Sequence, residues 1–208
     1  MARFCTLYSG SSGNSTYIGT GTGGILVAAG VSCKALLTAL SARDIRPDTI
    51  RGLFLTHEHI DHIKGVRVLL KKYAIPLFAS RETLEWLADR GELPPSAPVQ
   101  EISASTVIAA GDMEIRPFAT SHDSLSSFGY AVNLPDGRRI SVATDLGYVT
   151  GAVLRGIRGA DLLVAEANHD VEWVHSGPYP YHLKARILGD RGHLSNEAGA
   201  ELAWTAVA

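Results

Sequence analysis

His57, His59, Asp61 and His62 fall within six residues, in the run Thr56-His57-Glu58-His59-Ile60-Asp61-His62. Imidazole nitrogens and carboxylates suit zinc, iron or manganese, with imidazole favouring the first two. The run stands directly behind Leu53-Phe54-Leu55, which reads as a buried strand, and feeds a helix-like pattern after Ile63. A strand-to-helix turn curls the backbone tightly enough for these four side chains to converge. A lone histidine is usually surface or core filler; three with an aspartate at a strand end make a metal site.

The elements that must hold such a site can be read around it. Phe4 to Leu7 and Thr16 to Ile18 look like strands joined by the Ser/Gly-rich turn Ser9 to Ser15, and Ile25 to Val27 is a third strand. Cys33 to Arg43 is an amphipathic helix with Leu36, Leu37 and Leu40 on one face. Ile63 to Tyr73 is a helix carrying Val66, Leu69 and Leu70 inward. Its Lys64, Arg67 and Lys71 form either a solvated face or a phosphate-facing ridge. Ile75 to Ala79 is a strand, followed by a helix capped by Ser80 and closed at Gly91. From Thr106 onward the texture is mainly β, with a hairpin around Pro135-Asp136-Gly137 and a buried strand at Asp161 to Ala165. Ser176 to His182, with Pro178 and Pro180, reads as a loop; Ser195 caps a final helix with Ala198, Leu202 and Ala203 inward.

Bulk properties bound the answer. The 208 residues fit one domain, 1–208, with enough apolar content (46%) for a real core. A net charge of −2 argues against a broadly basic nucleic-acid binder and leaves room for a local basic groove. Cys5 and Cys33, without an apolar leader, fit reduced thiols in a cytoplasmic protein. No window approaches membrane-spanning length.

The metal-ligand run matches the HxHxDH signature, and the sequence resembles the metallo-β-lactamase superfamily from end to end. It is most similar to the YycJ-type branch of small bacterial metallo-hydrolases, proposed exonucleases. The resemblance rests also on Ser9-Gly10-Ser11-Ser12-Gly13-Asn14, Ser121-His122-Asp123, Ala143-Thr144-Asp145-Leu146-Gly147-Tyr148, Glu166-Ala167-Asn168-His169-Asp170 and Gly192-His193-Leu194-Ser195-Asn196. It implies an α/β fold, a four-layer αββα sandwich. It implies two divalent metal ions, zinc first, manganese or iron otherwise: His57, His59 and His122 on one, Asp61 and His62 on the other, Asp145 bridging. The family's further C-terminal histidine would lie past Ala208, so a chain lacking the final strand and helix is expected. Relatives usually carry an aspartate where Ala28 stands.

In the phosphodiesterase branches a glutamate steers a histidine that protonates the leaving oxygen, and Glu166 and His193 occupy those positions. The implied function is a phosphodiesterase or nuclease acting on nucleic acid, or on a small phosphodiester, with Asp61 orienting the nucleophilic hydroxide. A histidine steered by a carboxylate is suited to general-acid work. The rivals are an ester, thioester or lactam hydrolase on the same metals, and a weakly active metal-binding scaffold, to which Ala28 and the missing C-terminal histidine point. His169 and Asp170 are weaker pocket candidates; His175 and His182 read as loop residues.

Overall fold

Apolar runs short enough for strands and helices that fit the gaps between them produce an alternating architecture, seen in the computed structural model, which describes residues 2–207. The chain falls into two compact units. The first runs through Ser103 and adds Ile108–Glu114 and Ser124–Ser126; the second takes Ala104–Val107, Ile115–Asp123 and the remainder from Ser127.

The first unit carries a six-stranded sheet in sequential order: β1 (Arg3–Tyr8), β2 (Ser15–Thr20), β3 (Gly23–Val27), β4 (Ile50–Phe54), β5 (Leu77–Ala79) and β6 (Val99–Glu101). β1 to β3 pair antiparallel, whereas β3 through β6 pair parallel. Parallel neighbours need crossovers. These are supplied by α1 (Cys33–Ser41), by α2 (Ile60–Ile63) with α3 (Val66–Lys72), and by α4 (Arg81–Asp89). Every residue of β3 is buried, as a strand covered on both faces requires. Leu26, Leu36, Leu40, Leu53, Leu69 and Leu77 form the centre of its core.

Ser32 caps α1 and Ser80 caps α4, each accepting from the backbone N–H three residues on (3.2 and 3.1 Å), and Gly91 takes φ +65° beyond α4. The helix expected over 63–73 is broken instead. Gly65 interrupts it because its N–H donates to Ala29 O at 2.8 Å, and a Cβ there would stand 2.5 Å from Val31 O. Val66, Leu69 and Leu70 point inward as expected.

The second sheet has the order β11-β10-β9-β8-β7: β7 (Ile108–Ala110), β8 (Met113–Ala119), β9 (Phe128–Asn133), β10 (Arg139–Ala143) and β11 (Leu162–Ala165). β9 and β10 form the hairpin expected around Gly137, which adopts φ +85°. β10 and β11 run parallel. The crossover between them is α5 (Gly151–Ile157), whose Gly156 lies so close to Phe118 that a Cβ would meet the ring at 2.3 Å. Two further helices, α6 (Val171–Ser176) and α7 (Tyr181–Leu188), occupy the stretch read as β-rich and loop. α8 (Asn196–Val207) starts where Ser195 caps it; Leu202 and Ala206 are its buried residues and Ala198 packs against the same core, whereas Ala203 faces solvent. The fold is mixed α/β, two sheets flanked by helices.

Candidate metal centre

In the first unit, the ligand run leaves the C-terminal end of β4, where open α/β sheets place their sites. His57 and His62 are buried to 1% exposure. The His57 ring lies 4.5 Å from the His59 ring and 4.2 Å from that of His62, centroid to centroid. Thr56 Oγ1 lies 3.0 Å from His57 Nδ1 and 2.8 Å from His62 Nδ1, so one hydroxyl orients two imidazoles. Asp61 Oδ2 is 3.5 Å from His62 Nε2. Asn14 lies 3.2 Å from both, through its side-chain nitrogen.

The Ser/Gly turn of 9–15 is thereby a built support. Asn14 N–H donates to Asp61 O at 2.8 Å, and Gly30 N–H donates to Asn14 O at 2.8 Å. A Cβ on Gly30 would stand 1.5 Å from Asp61 O, so only glycine permits this approach. Ala28, beside it, is buried with φ +64°, a strained region for a residue with a Cβ. It has no polar side chain to offer, and the orienting bonds come from Thr56 and Asn14. Glu58 is buried between the ligands; its Oε1 accepts Leu125 N–H at 2.9 Å, while Oε2 has no hydrogen-bond partner among the described residues.

In the second unit, His122 follows β8, Asp145 follows β10 and Glu166 follows β11. The ligand atoms of His122, Asp145 and His193 lie within 4.8 Å of one another. His122 Nδ1 is 3.1 Å from Gly192 O, an N–H donation that leaves Nε2 as the lone-pair nitrogen, 3.3 Å from Asp123 Oδ1. Burial holds the His122 imidazole below its ordinary pKa despite the charges of Asp145 and Asp123, so it stays neutral, the ligating form. Asp145 adopts φ +59°, a strained backbone for a residue with a Cβ. Ser121 ties the two loops together, its O accepting Gly147 N–H at 2.6 Å and its Oγ accepting Tyr148 N–H at 2.9 Å.

Glu166 and His193 meet directly: Nδ1 to Oε1 is 2.5 Å. Glu166 Oε2 accepts from Leu146 N–H (2.8 Å) and Leu194 N–H (3.3 Å), which fixes the carboxylate. Burial works to lower the His193 pKa, but the hydrogen bond and charge of Glu166, with Asp145 and Asp123, hold it above its ordinary value. His169 is buried beside Ser195 in a parallel bridge, and its Nδ1 has no hydrogen-bond partner among the described residues. Asp170 caps α6 through Trp173 N–H at 2.7 Å, a structural task. His175 and His182 sit exposed on α6 and α7.

The donor sets fit divalent cations. Each unit converges imidazoles with a carboxylate, mostly buried, and Nδ1 of His57, His62 and His122 is engaged by a hydroxyl or a carbonyl, the kind of outer contact that metal-bound histidines commonly make. Sequence reasoning gave no role to Thr56 or Glu58, and placed Asn14 only within a turn at the rim of the site. Thr56 adjoins the ligand run, and Asn14 ends a turn rich in hydroxyls and glycines, which are the signals available for them.

Residues 24–206 match the family described as Beta-lactamase superfamily domain. Exodeoxyribonuclease YycJ of Bacillus anthracis is 39% identical over 201 residues, covering 95% of this chain and 75% of the relative. Among solved structures, the metallo-β-lactamase fold protein YhfI of Bacillus subtilis aligns with TM-score 0.74 at 15% identity, covering 99% of this chain and 81% of that one. The short form of human tRNase Z aligns with TM-score 0.71 at 18% identity, covering 100% and 89%. A family match over most of the chain, with fold-level agreement along its whole length, places it: the chain belongs to the beta-lactamase superfamily, in its metallo-β-lactamase fold.

Proposed function

We propose that the protein is a metal-dependent phosphodiesterase, an exonuclease-like enzyme acting on nucleic acid, and that the two units act as one domain. The observation that carries this reading is the Glu166–His193 hydrogen bond, 2.5 Å long, beside Asp145. A lactam, ester or thioester hydrolase has no need of such a pair, and the relative at 39% identity is called an exodeoxyribonuclease.

In this reading His57, His59 and His122 would hold one divalent ion, Asp61 and His62 would hold a second, and Asp145 would be available to either, with zinc the best match to the imidazole-rich set. When bound, such ions supply Lewis acidity and a water of lowered pKa. Asp61 would position a water for attack at phosphorus. Glu166 holds the proton at His193 Nδ1, and the raised pKa keeps a second proton at Nε2, where it can pass to the departing alkoxide. The free thiols Cys5 and Cys33 fit a reducing compartment, and no helix among the described residues is long and apolar enough to cross a membrane.

The test separates leaving groups. His193→Ala should slow cleavage of a DNA oligonucleotide by about 10²–10⁴-fold, the usual worth of general-acid help. It should slow bis(p-nitrophenyl) phosphate far less, because p-nitrophenolate departs without a proton. Glu166→Gln should follow the same pattern more mildly. Equal losses on both substrates, or loss of bound metal in His193→Ala, would remove the general-acid role.

A further inference from the structure

α1 and α3 pack against each other in the first unit, and neither carries a carboxylate. Their exposed cations are Lys34 on α1 and Arg67, Lys71 and Lys72 on α3, with Lys64 just ahead of α3. Residues 30–80 together hold eight lysines and arginines against four carboxylates, in a chain whose totals are 19 against 21. The other three cations are bonded within the fold: Arg43 to Ala39 O at 3.0 Å, Arg51 to Thr22 O at 3.1 Å and Arg46 to Asp48 at 3.6 Å. Lys34, Lys64, Arg67, Lys71 and Lys72 make no hydrogen bond or ion pair among the described residues. With Asp48 paired and Glu58 and Asp61 in the ligand run, Asp44, past the end of α1, is left as the balancing carboxylate. The face is therefore net positive and unneutralised.

The helices do not need this pattern for themselves. A solvated helix face mixes signs, so that opposite charges pair at i, i+4. Arg67 and Lys71 instead set like charges at that spacing, and Lys34 stands in the first turn of α1, where the macrodipole disfavours a cation. Local rules broken together in one place are the mark of a functional surface.

The spacing says what the surface fits. Lys64, Arg67 and Lys71 follow at i, i+3 and i+7, and the row begins two residues after His62. Although Gly65 breaks the helix, Lys64 and Gly65 keep right-handed backbone angles, so the row is continuous. At 1.5 Å of rise per residue it covers about 10 Å, the rise of about three nucleotides of a strand. Beside it, Lys72 and Lys34 line a cleft with the hydroxyl residues Thr38 and Ser41. Lysine, arginine and hydroxyl groups are the side chains that hold backbone phosphates without reading bases. A small phosphodiester, with one phosphate, cannot use such a row.

We propose that the α1–α3 face is a ledge that grips the phosphate backbone of a nucleic acid. Lys64, Arg67 and Lys71 take successive phosphates beyond the ligand run, and Lys34 and Lys72 hold a further one. The ledge rests on the nuclease reading and narrows its substrate from any phosphodiester to a polymer.

The experiment uses the metal-loaded protein and a cleavage-resistant, fluorescein-labelled phosphorothioate oligothymidylate, with affinity read by anisotropy across a salt series. Each phosphate contact contributes about 0.7 to the slope of log affinity against log salt on a single strand. Lys34→Gln, Arg67→Gln, Lys71→Gln and Lys72→Gln, which keep most of the aliphatic stem, should each flatten the slope by about that much, and the fourfold variant by about 3. Arg158→Gln removes an exposed cation from the second unit and should leave the slope as in the wild type. Turnover of bis(p-nitrophenyl) phosphate should be unchanged in all of them. An unchanged slope in the fourfold variant overturns the proposal. So does an equal flattening by Arg158→Gln, which would make the effect one of net charge rather than of this face. Binding to phosphatidylglycerol vesicles that the fourfold variant loses, with its oligothymidylate slope intact, also overturns it and gives the face to an anionic membrane. Failure of the nuclease reading looks different: the wild-type protein would not turn over bis(p-nitrophenyl) phosphate, while the salt slopes would still report on the ledge.

Discussion

Thr56 shows how much of a metal site is made by residues that hold no metal. A hydroxyl oxygen has two acceptor lone pairs, so Oγ1 can take an N–H from Nδ1 of His57 and of His62 and leave both Nε2 lone pairs inward. Thr56→Val keeps the shape and removes the hydroxyl. Metal affinity, read by competition with a chromophoric chelator, should fall by about 10–100-fold, the range for partners of ligating histidines. An unchanged affinity would mean that packing alone aims the rings. His57→Ala, by contrast, should remove an ion outright, measurable as metal stoichiometry after dialysis. The ligand candidates were legible in the sequence because their types and spacing are chemically improbable otherwise. Asn14 was not, because its bonds to Asp61 and His62 span 47 and 48 positions and depend on how a turn folds back.

Among the elements, legibility followed burial. β3, β4 and α1 bury a face, and their apolar patterns announced them. α7 buries nothing and is preceded by Pro178 and Pro180, so neither periodicity nor propensity distinguished it from a loop. α5 was missed for a related reason: its Gly156 weakens helix propensity but is needed for the close approach to Phe118. Gly65 broke α2 from α3 through a backbone bond to Ala29, invisible without the partner segment. The same kind of close approach underlies the metal run. Gly30→Ala would press a methyl onto Asp61 O, with nothing but backbone to yield. It should cost about 1–3 kcal/mol or more, read from the urea midpoint, and should weaken metal retention as well. Gly21→Ala, where a Cβ meets nothing within 4 Å, is the matched control and should change neither. If both variants behave alike, the 9–15 turn and Gly30 are not the frame of the site.

For the whole molecule, the question is whether the two clusters serve one centre. The first unit supplies His57, His59, Asp61 and His62; the second supplies His122 and Asp145. In the proposed ligand set the ions draw on both. An ion that binds only the folded chain stabilises it by RT ln(1 + [L]/Kd), about 2.7 kcal/mol at a hundred times Kd. For a chain of this size each kcal/mol is worth roughly 2–4 °C, so zinc should raise the melting temperature by about 5–10 °C and a chelator should reverse it. The informative comparison is between single variants in the two units. If one centre spans them, His57→Ala and His122→Ala should each erase most of the zinc-dependent shift while leaving the metal-free melting temperature within a few degrees. Asp145→Asn, which keeps the shape of the strained residue but weakens its charge, should fall between those variants and the wild type. If instead each unit bound its ion alone, His57→Ala would leave a second zinc transition intact. The shared Asp145 ligand would then have to be abandoned, and with it the dinuclear form of the proposal.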